Sequence, residues 1–317
     1  MRQLPIVSGL LNYLTAPPLP SISASITENN VALISLKRKG GEFEPGNLGV
    51  TRLPDGLVKA HFSEPNISDE LTLGDYLSKT AEQANIRKVA RLSVTLPVGS
   101  ARTIIVALDS LPDTRAELNQ MIEWKVERNL GYKVGDLRIS YTRLSDSDGR
   151  PQWVISAVQV AVVSQYERVF RDLGWQVGLI APQHIGEAQW LIRAGIKEDQ
   201  VAVSLHDNGF DLIIVRGSEP ILIREVICPP EEREDEFFRL LVYYRDRIAV
   251  TDENLTLNRF LIIGNPAEQR QFREVFSAAL ERNSILLSPQ QLGLNVDSNA
   301  PVNSFFAAAG LATMAWS

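Results

Sequence analysis

Ser23-Ala24-Ser25-Ile26-Thr27-Glu28-Asn29-Asn30-Val31-Ala32-Leu33-Ile34-Ser35-Leu36 sets two β-rich runs on either side of a polar turn. About 180 residues later the arrangement returns in Val201-Ala202-Val203-Ser204-Leu205-His206-Asp207-Asn208-Gly209-Phe210-Asp211-Leu212-Ile213-Ile214-Val215. Each pair is followed by a third strand, near Gly49 to Leu53 after the Gly40-Gly41 break and over Glu219 to Val226, so each unit reads as a three-stranded meander. A repeated unit of this kind predicts two similar lobes facing one cleft.

Working outward, the spacing predicts a helix over Leu71 to Asn85. A strand Val89 to Leu96, a turn at Pro97-Val98-Gly99-Ser100 and a strand Arg102 to Leu108 then read as a hairpin. Pro112-Asp113-Thr114 opens a helix whose Leu118, Met121, Ile122, Val126 and Leu130 recur at helical intervals, with Gly131 as its stop. Strands Leu137 to Leu144 and Trp153 to Val162 complete a β-β-α-β-β block, about 88–163, expected to be an insertion with its own small sheet. A helix Ser164 to Leu173, a strand Gln176 to Ile180 and a helix His184 to Ala194 lead to the linker Gly195 to Gln200. After the second meander come a helix Glu231 to Arg247, a strand Arg259 to Ile263, a helix Ala267 to Leu280 and a last apolar helix Ser304 to Met314. The expected organisation is an apolar, Pro-rich start at 1–20, a first lobe at 21–195 and a second lobe at 196–317, with the last helix packing back on the first lobe. The fold class is α/β with two related lobes.

Composition narrows the function. The 317-residue chain is 44% hydrophobic, enough for sizeable cores, and its formal charge of −6 argues against nucleic acid as a partner, since phosphate binding rests on Lys and Arg clusters. Cys228 is the single cysteine, so no intrachain disulfide forms and a reducing compartment is the simpler reading. His61, His184 and His206 lack metal-ligand spacing, so no metal site is expected. No run approaches the ~20 apolar residues of a membrane span. Ile6, Val7, Leu10, Leu11 and Leu14 share a helical face, which predicts a terminal helix docked on its own domain or a partner; Arg2 alone is too little charge for a secretory signal. The acidic run Glu231 to Glu236 reads as a solvated helix start. Ser204, His206 and Asp207 have triad residue types, but strand neighbours point to opposite faces, so no catalytic residue is assigned. Trp124, Trp153, Trp175 and Trp190 read as core, Trp124 within the inserted block.

The element order, with its small inserted block, resembles the actin, sugar-kinase and heat-shock-chaperone superfamily, whose lobes are duplicated ribonuclease H-like units. It is similar in particular to the PilM family of type IV pilus assembly. The residues that carry this are Glu117-Leu118-Asn119-Gln120-Met121-Ile122-Glu123-Trp124-Lys125-Val126-Glu127-Arg128-Asn129-Leu130-Gly131-Tyr132, like that family's helix with a central Trp-Glu-type pair, although the family ends it Ile-Pro-Phe. Ser140-Tyr141 in the next strand, Ala157-Val158-Gln159 before a helix, and Phe305-Phe306-Ala307-Ala308-Ala309-Gly310-Leu311-Ala312 near the end add to the resemblance.

In ATP-binding relatives, each phosphate hairpin carries an Asp that orients water around magnesium and, two residues on, a Gly that lets backbone N–H groups reach the phosphates. Here the first hairpin has Ser25 and Thr27, followed by Glu28, and the second has Ser204 and His206, followed by Asp207. The adenosine loop, Gly-Gly in the family, is Gly264-Asn265-Pro266. The resemblance therefore implies a degenerate nucleotide cleft and a pseudo-ATPase, with no cofactor and with ATP and magnesium as the disfavoured alternative.

It further implies a cytoplasmic scaffold, peripheral to the inner membrane, that holds the N-terminal tail of a PilN-like bitopic protein between the first lobe and the inserted block. Trp124, Arg128 and Tyr132 are the partner-binding residues expected on that basis. Further copies of the chain are an open second partner. Two alternatives stand beside this reading: the cytoplasmic actin-like domain of a type II secretion GspL-like protein, and an ATP-binding enzyme of the superfamily with an atypical phosphate site.

Overall fold

Strands β1 (Ile22–Ile26), β2 (Asn30–Lys39) and β3 (Glu42–Arg52) form the first antiparallel meander of the computed structural model, which describes residues 19–86, 89–147, 149–248, 257–297 and 299–316. Strands β4 (Arg91–Leu96) and β8 (Gln176–Pro182) extend it on the β1 side, both parallel, giving a five-stranded sheet of order β3-β2-β1-β4-β8. The second meander, β9 (Asp199–His206), β10 (Gly209–Arg216) and β11 (Glu219–Ile227), is extended by parallel β12 (Arg259–Ile263) and the short β13 (Ile285–Leu286). Its order, β11-β10-β9-β12-β13, repeats the first. The duplication read from two hairpins thus extends to whole sheets.

A third sheet, β5-β7-β6, is built from β5 (Arg102–Ala107), β6 (Leu137–Ser147) and β7 (Arg150–Gln159), and packs on helix α2 (Arg115–Leu130) through Ile122, Val126 and Trp153. This corrects the expected β-β-α-β-β block to β-α-β-β. Residues Val89 to Leu96 do not pair with Arg102 to Leu108; β4 instead lies beside β1, with Ser23 opposite Ser93 and Ser25 opposite Thr95. The physical reason is burial on both faces: Leu92 and Val94 fill one core while Ser93 and Thr95 are equally buried on the other side, which suits a central strand. Pro97 to Ser100 is the turn by which the chain leaves the main sheet.

Between the sheets lie α4 (Gln183–Ala194) and α7 (Val302–Thr313), and the core around them includes Ile34, Trp190, Ile213 and Phe305. Helices α1 (Glu70–Gln83) and α3 (Val160–Asp172) cover the far face of the first sheet; α5 (Arg233–Arg247) and α6 (Pro266–Leu280) cover that of the second. Helix α3 starts earlier than expected because Val162, Val163, Tyr166, Val169 and Phe170 bury one helical face, which outweighs the strand preference of Val160 to Val163. Helix α7 is apolar nearly all round and packs on β1, β2 and β4 as well as α4. The small serines of β1 and β4 leave room for that approach.

Candidate functional site

The first phosphate-type turn is closed on itself. Ser25 is buried in β1, and the Thr27 hydroxyl donates to the Asn30 carbonyl at 3.1 Å while accepting from the Asn30 amide at 3.0 Å. The Glu28 carboxylate accepts from the Ala60 N–H at 2.6 Å. A glycine, with neither side-chain contact, would leave such a turn free to wrap a phosphate.

The second turn is committed in the same way. The buried Ser204 hydroxyl donates to the Glu187 carboxylate on α4, whose other oxygen accepts from Gln183 Nε2 at 3.0 Å. The Arg233 guanidinium donates to the carbonyls of His206 and Asp207, at 2.5 and 2.9 Å, and pairs with Glu268 at 2.8 Å. Gly264 has φ of 146° and lies against β9, where a Cβ would come within 2.7 Å of Leu205 Cβ; its carbonyl accepts from Asn303 Nδ2 at 2.6 Å. Neither loop carries an aspartate at Ser25 or Ser204 to orient water around magnesium, and the Thr27 and Ser204 hydroxyls are engaged within the chain.

Sequence reasoning missed the centre of this region. His184 Nε2 shares a 2.9 Å hydrogen bond with Thr103 of β5, and its Nδ1 lies 3.3 Å from Asp211 Oδ2 of β10. His206 Nε2 is 4.0 Å from the other Asp211 oxygen. Arg102 of β5 pairs with Glu225 of β11 at 2.7 Å. The inserted sheet, the second sheet and α4 therefore meet at one polar junction. A legible signal existed: Asp211 interrupts the apolar run Phe210 to Val215, and Glu187 lies on the buried face of α4, places where charges are rare unless paired.

Burial raises the Glu187 carboxyl to about 7, against the lowering effect of its Ser204 and Gln183 hydrogen bonds. Burial also works against a charged His184, but the Asp211 hydrogen bond and the charges of Asp211, Glu187 and Glu225 outweigh it, so His184 sits above the ordinary histidine value. Burial pushes Glu225 up and His206 down. For Glu187 and His184 the folded state holds its protons more tightly than the unfolded chain, so their contribution falls as pH rises. Thermal unfolding is expected at a temperature several degrees lower at about pH 8.5 than at about pH 6, with Glu187→Gln reducing the difference. Equal midpoints for the parent protein would rule out this linkage.

A second feature lies between the first sheet and the inserted block. A groove of about 250 Å³ runs between β8 and β6, the outer strands of their respective sheets. Its lining includes Leu96, Ile139, Ala157, Val163, Leu179 and Ile180, and Ser156 opens onto it from β7. Arg138 of β6 and Glu167 of α3 form an ion pair at this groove. Trp124, Arg128 and Tyr132 are not among its lining residues. Trp124 is 53% exposed, with the Arg128 guanidinium 5.2 Å from its ring centre, which corrects the expectation of a core aromatic; Tyr132 packs on Phe62. Trp153 and Trp190 are buried as expected.

Two sheets of repeated order, helices between and outside them, and a small inserted sheet define a two-lobed actin-like fold. In that class, the chain is similar to the structure described as the PilM–PilN type IV pilus biogenesis complex, with a TM-score of 0.73 at 13% identity over 95% of this chain and 100% of that one. More distant structures include a Bacteroides thetaiotaomicron protein with an actin-like ATPase fold (TM-score 0.49, 9% identity, 92% and 96% of the two chains). Another is the cytoplasmic domain of EpsL, an inner-membrane component of the Vibrio cholerae type II secretion system (TM-score 0.47, 11% identity, 93% and 94%). No protein-family profile matches the sequence, and no curated protein matches it. No helix among the described residues is long and apolar enough to cross a membrane.

Proposed function

We propose that this chain is a non-catalytic, actin-fold scaffold of a type IV pilus or related secretion platform, holding the N-terminal tail of a PilN-like membrane protein. The groove between β8 and β6 carries the reading. Outer strands present unpaired main-chain donors and acceptors, and an extended peptide laid there gains a ladder of hydrogen bonds while its alternate side chains enter the apolar lining. The fold shared with the PilM–PilN complex supports the same assignment. Through such a partner the scaffold would sit at the cytoplasmic face of the inner membrane. Its cleft loops, engaged by Glu187, Ala60 and Arg233, support a pseudo-ATPase role.

The test is fluorescence polarisation with a labelled peptide of the PilN-like protein's first residues. Ser140 is exposed on β6 and lines the groove, so Ser140→Trp is expected to fill it and weaken binding at least tenfold with little change in thermal stability. An unchanged affinity would remove the groove from consideration. Calorimetry with magnesium and ATP is expected to give no binding heat; saturable binding would revive the enzyme alternative.

A further inference from the structure

The groove and the interlobe junction are joined by a continuous polar chain. Ser156, on the groove wall, is 3.2 Å from the Thr103 hydroxyl, Thr103 is 2.9 Å from His184 Nε2, and His184 Nδ1 is 3.3 Å from Asp211. Each link crosses a structural boundary: β7 to β5 inside the small sheet, β5 to α4, and α4 to β10 of the second lobe. Ala181 and Pro182, also in the groove lining, directly precede α4. Arg102 and Thr103 are the first residues of β5, so the polar contacts at the junction sit where the block begins, while Ser145 N–H to Glu219 at 2.8 Å and Ile105 and Val154 on the central core are further attachments.

We infer that the Ser156–Thr103–His184–Asp211 chain is a proton-dependent hinge, which fixes the inserted block against both lobes while the junction is protonated and frees it on deprotonation. The charge balance explains why. The groups facing His184 are Asp211 of β10, Glu187 of α4, Glu225 of β11 and, beyond Glu225, Arg102 of β5. With His184 charged and Glu187 neutral, these groups cancel. With both deprotonated, the buried carboxylates of Asp211 and Glu187 and the partly exposed one of Glu225 face a neutral imidazole and the single cation Arg102, leaving two negative charges in excess. Like charges out of water repel strongly, and the contacts of Asp211 with His184 at 3.3 Å and His206 at 4.0 Å offset this only while a histidine carries a proton to share. His206 borders the junction from β9, where it also faces Arg233, Asp207 and Glu28, and burial lowers its proton affinity below the ordinary histidine value. It therefore supplies no replacement cation as pH rises.

The weakest attachments at the junction are those of the inserted block, which reaches it through the Arg102 and Thr103 side chains, whereas α4 is packed into the central core along its length. The block is thus the part released, and β6 moves with it, widening the groove. That consequence for ligand binding rests on the peptide-groove reading above; the hinge itself does not.

Spin-label distance measurements on the full chain test the hinge without any peptide. In a Cys228→Ser background, labels at Ser110→Cys in the exposed start of the block and Gln271→Cys on exposed α6 report the block's position relative to the second lobe. A single narrow distance distribution is expected at about pH 6, and a broader or longer one at about pH 8.5. Glu187→Gln, which stays uncharged at every pH, is expected to move the midpoint of that change upward by about one pH unit or more. Identical distributions at the two pH values in the parent protein overturn the proposal, as does a Glu187→Gln variant that follows the parent curve. Should the variant fail to fold, as judged by circular dichroism, the parent comparison alone decides. Peptide binding measured at about pH 6 separates the two ideas: loss of binding with an intact distance change sinks the groove reading, and retained binding with no distance change sinks the hinge.

Discussion

Replacing Gly310 by alanine is expected to destabilise the protein by about 3 kcal/mol, the upper range for forcing atoms into a filled core. A Cβ on Gly310 would come within 1.8 Å of the Gly186 carbonyl oxygen and 2.9 Å of its carbon. The contact is reciprocal, since a Cβ on Gly186 would meet the Ala307 carbonyl oxygen at 2.4 Å. Helices α4 and α7 therefore cross backbone to backbone, and neither obstacle is a side chain that can rotate away. Relief requires one helix to move, yet Trp190 stacks on Phe306 with centres 5.5 Å apart and donates its indole N–H to the Phe306 carbonyl at 3.1 Å. Because α4 also carries His184 and Glu187, the shift would disturb the polar junction as well as the core. Chemical denaturation measures the effect directly; an unchanged midpoint would show that the crossing can open at no cost.

Ser204→Asp places a carboxylate at the hairpin position where the sequence resemblance leads one to expect it. It is nonetheless expected to destabilise the protein by roughly 3 kcal/mol or more at about pH 8, and to give no magnesium–ATP binding. The new carboxylate would face Glu187 where a hydroxyl now donates to it, so a satisfied hydrogen bond becomes a buried contact between like charges. At about pH 5 the pair can share a proton, and the penalty should shrink. Denaturation at the two pH values and calorimetry with magnesium and ATP provide the readouts. Unimpaired stability at the higher pH, or new nucleotide binding, would show that the cleft is still arranged for phosphate and that Glu187 yields readily.

The repeated hairpins were legible because their chemistry is local: β-branched runs broken by Asn, Asp and Gly form strands and turns wherever they occur. The helical stripes of α1, α4, α6 and α7 were legible for the same reason. Strand β4 was misassigned because a short apolar run beside a Pro-Gly turn suits a hairpin or a buried parallel strand equally well, and only the serines of β1 decide between them. Trp124 was placed in the core on hydrophobicity alone, although the buried stripe of α2 runs through Ile122 and Val126. The altered residues Ser25, Thr27, Ser204 and His206 were visible in the sequence, but what occupies their surroundings was not. Glu187 lies 17 positions from Ser204 along the chain, on a helix that reaches it only after the lobes have packed.

The sequence by itself determined that two meander-led lobes form, that a small α/β block interrupts the first, and that the two hairpins carry Ser25 and Ser204 and no aspartate at those positions. Those facts depend on periodicity and residue type along neighbouring positions. Tertiary structure alone decided that β8 and β6 border an apolar groove, that Gly186 and Gly310 meet, and that His184 joins the inserted sheet to the second. These depend on side chains up to a hundred or more residues apart being desolvated together, and the energy of a buried charge is fixed by the neighbours that folding brings to it.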